Sequence, residues 1–136
     1  MKKLLWLDDM RCPFNGTWVD DYSPINTNNI VVEWVKSYFE FVNWIKKNGL
    51  PDAICFDHDL GKLTENELLA KGYSKKEARK AKSEEKNGYD CAKWLVEYCM
   101  DHEVDVPAFN VHSSNPAGKQ NIMSYLDGYH KSFYNS

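Results

Sequence analysis

The chain has 136 residues, a formal net charge of −3 and 43% apolar residues. One hydrophobic core fits that length, so a single domain over residues 1–136 is expected. Five Trp, eight Tyr and six Phe exclude a disordered chain. The negative balance excludes broad, charge-driven nucleic-acid binding, and no apolar run approaches the ~20 residues of a membrane span.

The opening run Leu4-Leu5-Trp6-Leu7 reads as a buried strand over 2–8. Only four apolar residues precede Asp8-Asp9, too few for a secretion signal. Residues 10–28 contain Pro13, Gly16 and Pro24 and read as a long loop, of the kind that forms lids or binding segments. Trp18 and Tyr22 in that loop are candidates for stacking on a base. The β-branched run 30–35 is a second strand. Ser37 and Glu40 have capping-box spacing and start a helix with the stripe Phe41, Trp44, Ile45, closed by Asn48-Gly49. Pro51 blocks continuation, and 53–57 form a third strand.

Residues 62–87 break the rhythm. Thr64 with Glu67 and Ser74 with Glu77 predict two short polar helices, and the segment 62–86 carries a balance of +3 against −6 elsewhere. No wide apolar stripe appears over 75–86, which predicts a solvated helical insertion. Helical periodicity resumes after Asn87-Gly88 with Tyr89, Ala92, Leu95, Val96 and Cys99. A fourth strand is expected at 107–112, then Asn115 as N-cap, Pro116 at the first helical position and a helix to Tyr125 or Leu126. Trp34, Trp44 and Trp94 are assigned to the core, and His102 and His130 to the surface. This alternation predicts a parallel α/β sheet with right-handed crossovers and helices on both faces. It has four strands, with a fifth only if the tail from Gly128 supplies one.

Cys12, Cys55, Cys91 and Cys99 show no zinc-ligand spacing. Cys91 and Cys99 share a helix face but stand ~12 Å apart, too far for a disulfide. Reduced thiols in a cytoplasm are the expectation.

Three polar clusters each follow an apolar run: Asp8-Asp9, Asp57-His58-Asp59 and His112-Ser113-Ser114-Asn115. In a parallel sheet all three come to the carboxyl edge, where such folds build their sites. Carboxylates so close repel unless a cation or shared protons offset the charge. The expectation is a divalent metal site, Mg²⁺ or Mn²⁺ because both favour oxygen ligands.

These residues resemble a response-regulator receiver domain, with an acidic pair after strand one, an aspartate after strand three and a hydroxyl after strand four. The Lys-Pro expected after a fifth strand is absent. The set L-D-D-x-R-x-P, F-D-H-D-L-G, N-G-Y-D and H-S-S-N is more similar to the cyclic-phosphate-processing receiver family of bacteria and phages. That resemblance implies a receiver-like, flavodoxin-like fold and action on a cyclic phosphate or cyclic nucleotide in RNA repair, nucleotide signalling or anti-phage immunity. The ligand would be a small cyclic phosphate, nucleotide or RNA end, met in the cytoplasm (the host's, if phage-encoded); a homodimer is left open.

Hydrolysis of such an ester needs a neutralised phosphate, an activated water and a protonated leaving group. Asp8, Asp9, Asp57 and Asp59 are the candidate metal ligands. His58 and His112 are the acid/base candidates beside Asp57, because imidazole exchanges protons near neutrality. Arg11, Ser113, Ser114, Asn115 and Lys119 are candidate phosphate-binding residues. Two other classes compete with the phosphoesterase: a binder that sequesters a nucleotide messenger uncut, and a signalling receiver phosphorylated on Asp57.

Overall fold

The computed structural model describes residues 1–60, 65–83 and 86–135. The four apolar runs become β1 (Lys2–Leu7), β2 (Ile30–Val35), β3 (Ala53–Phe56) and β4 (Ala108–Val111). They pair in parallel in the order β2-β1-β3-β4. The central strands have apolar residues on both faces because helical segments cover both sides of the sheet.

Side chains alternate across each strand. Leu5, Leu7, Ile54, Phe56 and Val111 enter the larger core with residues of α2 (Tyr38–Asn48), α5 (Gly88–Asp101) and α6 (Pro116–Asn135). Leu4, Trp6, Ala53 and Cys55 form the opposite core, packed by Trp18, Val19, Tyr22 and Ile25. Trp18–Tyr22 is helical (α1), so the expected loop 10–28 contains a short helix that roofs this face. The order reverses between β1 and β3, with one crossover going to β2 and the later ones the other way. That reversal opens a crevice at the carboxyl edge.

Capping explains where helices begin. Ser37 Oγ accepts the Glu40 N–H at 3.1 Å, while Glu40 Oε1 accepts the N–H of Lys36 at 3.1 Å. Asn87 and Asp90 exchange 3.0 Å bonds in a full capping box that starts α5. Gly49, at φ 81°, ends α2 in a conformation that disfavours a side chain.

Two expectations change. The final helix runs to Asn135 rather than ending near Leu126, and no fifth strand joins the sheet among the described residues. Tyr129 and Phe133 prolong the Ile122/Leu126 stripe, and Tyr129 Oη donates to Val104 O at 2.7 Å. The second change is in the insertion, which forms α3 (Glu65–Ala70) and α4 (Lys75–Ser83) but is not wholly solvated. Leu68 and Ala78 are buried, Lys71 pairs with Glu40 at 3.3 Å, and Tyr73 meets Phe39 edge-on at 5.0 Å. Ser74 Oγ caps α4 through Glu77 N–H at 3.1 Å, whereas Thr64 lies outside the described residues. Trp34 packs half-buried against the opposite core, and its indole N–H donates to Asp8 O at 2.7 Å. Trp44 and Trp94 pack against the larger core. His102 is exposed, and His130 is half-buried and paired with Asp105 at 2.6 Å.

No helix among the described residues is long and apolar enough to cross a membrane. All four cysteines are free, three of them buried.

Candidate metal centre

The last rung of each strand pair sets the site. Asp8 N–H donates to Val35 O at 3.1 Å, Asp57 N–H to Leu7 O at 3.0 Å, and His112 N–H to Phe56 O at 2.9 Å. Each residue sits one position beyond a paired strand end, so the sheet register itself brings the three side chains to the switch-point crevice. Carboxylate oxygens of Asp8, Asp9 and Asp57 lie within 4.8 Å of one another.

Asp8 is held from four directions. Its Oδ1 accepts the N–H groups of Met10 and Arg11 at 2.8 and 2.9 Å. Its Oδ2 stands 3.0 Å from His112 Nε2 and 3.4 Å from Arg11 Nη1. Burial pushes the Asp8 carboxyl up, but the hydrogen bonds from His112 and from the Arg11 and Met10 amides outweigh it. They hold it below the usual carboxylate value.

Asp57 is the opposite case. It is 6% exposed, and burial, followed by the negative charges of Asp8 and Asp9, pushes its carboxyl up to about 7 although Arg11 pulls the other way. Asp57 therefore lies among like charges that Arg11 offsets only in part. Its donors are hard carboxylate oxygens without a sulfur, the set that suits Mg²⁺ or Mn²⁺.

Asp59 does not join the three. Its exposed carboxylate takes His58 Nδ1 at 2.8 Å, and Asn115 Nδ2 stands 3.5 Å from both His58 Nδ1 and Asp59 Oδ2. Asn115 is also the N-cap of α6, its Oδ1 accepting Gly118 N–H at 3.0 Å. Ser113 Oγ accepts Asn115 N–H at 3.1 Å, which leaves its own proton to donate elsewhere. Ser114 and Lys119 are exposed near the same helix start.

The two histidines differ in kind. His58 lies at the rim, whereas His112 is 3% exposed and stacked on Trp6 at 4.1 Å and 8°. Its Nε2 faces Asp8, and its Nδ1 is buried without a hydrogen-bond partner. The proton therefore belongs on Nε2, donated to Asp8. Arg11 is likewise engaged, its guanidinium 5.3 Å over Trp18 as well as beside Asp8. Trp18 stacks with Tyr22 at 6.1 Å, and Tyr22 tilts against His112 at 5.8 Å, so both loop aromatics brace the site from behind.

Two glycines are site residues that sequence reasoning passed over. A Cβ on Gly118 would stand 2.4 Å from His58 Cγ, and one on Gly88 would stand 1.8 Å from Asp57 O. Gly88 N–H also donates to His58 O at 2.8 Å. Glycine costs ~1 kcal/mol relative to alanine inside a helix, so its presence in each first turn was the available sign of a close approach.

A parallel sheet in this order with an acidic crevice at its switch point defines a receiver-like α/β protein. Residues 3–128 match the family described as cyclic-phosphate processing receiver domain, and the chain belongs to that family. No curated protein matches it. A solved fusion containing the yeast Spc42 trimeric coiled-coil aligns over 98% of this chain and 78% of its own, at 14% identity and a TM-score of 0.49.

Proposed function

We propose that this chain is a metal-dependent phosphoesterase that opens a cyclic phosphate, carried by a nucleotide or an RNA end. The observation that carries the reading is the cluster Asp8, Asp9 and Asp57, packed within 4.8 Å with Asp57 driven up to about 7. Such a cluster is relieved by a cation, and Mg²⁺ or Mn²⁺ would be held by these three residues. Bound there, the ion supplies charge neutralisation on the phosphate oxygens and a water of lowered pKa.

The chain's own side chains supply the rest. With Asp59 taking the Nδ1 proton, His58 keeps Nε2 to accept a proton from the attacking water or return one to the leaving alkoxide. Ser113 Oγ–H and the Ala117 N–H provide donors for phosphate oxygens, since Pro116 has no N–H and the Asn115, Gly118 and Lys119 amides are already bonded. His112, enclosed and bonded to Asp8, orients that carboxylate; it replaces proton transfer with positioning in this scheme.

The test is incubation with Mg²⁺ or Mn²⁺ and a panel of 2′,3′-cyclic and cyclic oligonucleotide phosphates. Product should form, be lost in Asp57→Asn, and fall at least 100-fold in His58→Ala, a proton-transfer effect of about 10²–10⁴. Tight binding with every ligand recovered intact would instead make the chain a binder. Acyl-phosphate on Asp57 after treatment with a small phosphodonor would make it a signalling receiver.

A further inference from the structure

The loop that leaves the end of β1 carries two exposed apolar side chains within six residues of Asp8. Met10 is 83% exposed and Phe14 66% exposed, two of the most exposed large apolar side chains described. Neither hangs from a loose segment. Asp8 Oδ1 fixes the Met10 and Arg11 amides, and Arg11 O accepts Trp6 Nε1–H at 3.0 Å. Asn15 N–H then donates to Cys12 O at 3.2 Å, closing a turn with buried Pro13 at its second position and Phe14 at its third. Chain length alone keeps the Phe14 Cα within ~11 Å of the Arg11 Cα. The ring is thus held in water on a turn that follows directly from Met10 and Arg11, whose amides are tied to a carboxylate of the acidic cluster.

From this we infer that Phe14, with Met10, is a stacking platform for the nucleobase of the substrate. The inference rests on the phosphoesterase reading and deepens it: the substrate is a base-bearing cyclic phosphate, not a bare sugar one. Trp18 and Tyr22 are spent on Arg11 and His112, which leaves Phe14 as the aromatic facing solvent on this loop. Stacking tolerates any base, because each presents a flat π-face, so this contact selects for a base without selecting its identity.

Three substrates separate the outcomes: adenosine 2′,3′-cyclic phosphate, a short oligoribonucleotide ending in that group, and methyl riboside 2′,3′-cyclic phosphate, which has no base. The wild-type KM should be about tenfold lower for a base-bearing substrate than for the base-free one. Phe14→Ser should close that gap, with unchanged thermal stability because the ring is exposed. Met100→Ser, which removes an exposed apolar side chain on α5, should keep the gap. The mononucleotide and the oligonucleotide should both show the lower KM, because each carries a base at the cyclic phosphate. Independently of turnover, adding adenosine 2′-monophosphate should shift the methyl resonance of Met10 and spare that of Met100. Equal KM values for base-bearing and base-free substrates, or a gap that survives Phe14→Ser, overturn the platform while leaving the phosphoesterase standing. Absence of turnover for all three, with no shift at Met10, overturns both.

Discussion

Gly118 and His58 approach so closely that a single methyl group on the glycine would stand 2.4 Å from the imidazole Cγ. The first turn of α6 is therefore the bed on which the His58 ring lies, with Asn115 and Asp59 at its Nδ1 side. A helix, a strand end and a carboxylate together set the direction in which His58 Nε2 is presented.

From that contact the effect of Gly118→Ala follows. The added methyl expels the ring from its seat while improving the helix propensity of α6 by ~1 kcal/mol. Turnover of a cyclic phosphate should fall by about 10- to 100-fold, since misplaced acid/base groups lose most of their benefit. Thermal stability should change little. Full activity in a folded Gly118→Ala protein would show that His58 needs no such bed.

Gly88→Ala is expected to behave differently. Its methyl meets backbone, the Asp57 carbonyl, at 1.8 Å, and backbone at a strand end cannot swing aside as a ring can. We expect a loss of ~2–4 kcal/mol in folding stability, within the range of severe overpacking. Chemical denaturation measures it, and a loss below ~1 kcal/mol would contradict the close packing of α5 on the β3 end.

Substitutions at His112 separate positioning from proton transfer. A glutamine amide occupies nearly the place of Nε2 and can still donate to Asp8 Oδ2, but it does not exchange protons near neutrality. His112→Gln should therefore retain Mg²⁺ binding and most of the turnover. His112→Ala, which also opens a space beneath Trp6, should weaken metal binding and cost ~2–4 kcal/mol of stability. Inactivity of His112→Gln with metal affinity intact would return His112 to the role of acid or base.

The carboxylates predict opposite pH dependences. Asp57 has a folded-state value of about 7 against an ordinary 3.8, so its favourable contribution is complete below pH 3.8 and is lost as pH rises through about 7. Asp8 is shifted down, so its contribution is present above pH 3.8 and is lost as acid drives the pH through its lowered value. The metal-free protein should thus be more stable near pH 5 than at pH 8, by an amount on the order of 1–4 kcal/mol. Asp57→Asn should abolish that slope and stabilise the metal-free protein at pH 8. Added Mg²⁺ should do the same to the wild type, binding more tightly as pH rises towards 7 and releasing protons as it binds. A flat stability profile between pH 5 and 8 without metal would remove the electrostatic strain on which the site rests.

Much of this was readable along the chain. Apolar-rich runs of four to six residues, each followed by a charged or polar residue, marked the strands, and strand-helix alternation left a parallel sheet as the simplest arrangement. The polar residues that end those runs, Asp8, Asp57 and His112, were placed on one edge by that reasoning alone, since every parallel strand ends on the same side. Other features were hidden. The helix was expected to end before Gly128, which interrupts a stripe that Tyr129 continues, its hydroxyl bonded to Val104 O. The insertion was read as solvated because 75–86 has no wide apolar stripe, whereas Leu68 and Ala78 are buried once α3 and α4 pack together.

Local order in the chain was enough to specify strands, caps and the residues that reach the crevice, because those depend on neighbours a few positions apart. It did not say which histidine faces water, why Gly88 and Gly118 carry no side chain, that Asp59 serves His58 instead of the carboxylate cluster, or that Phe14 stays uncovered. Those were decided by contacts between segments dozens of residues apart, such as Asp8 with His112 and His58 with Gly118. Burial, the distance between like charges and the room left for a ring are properties of the packed molecule, and no stretch of sequence possesses them until the sheet has brought its edges together.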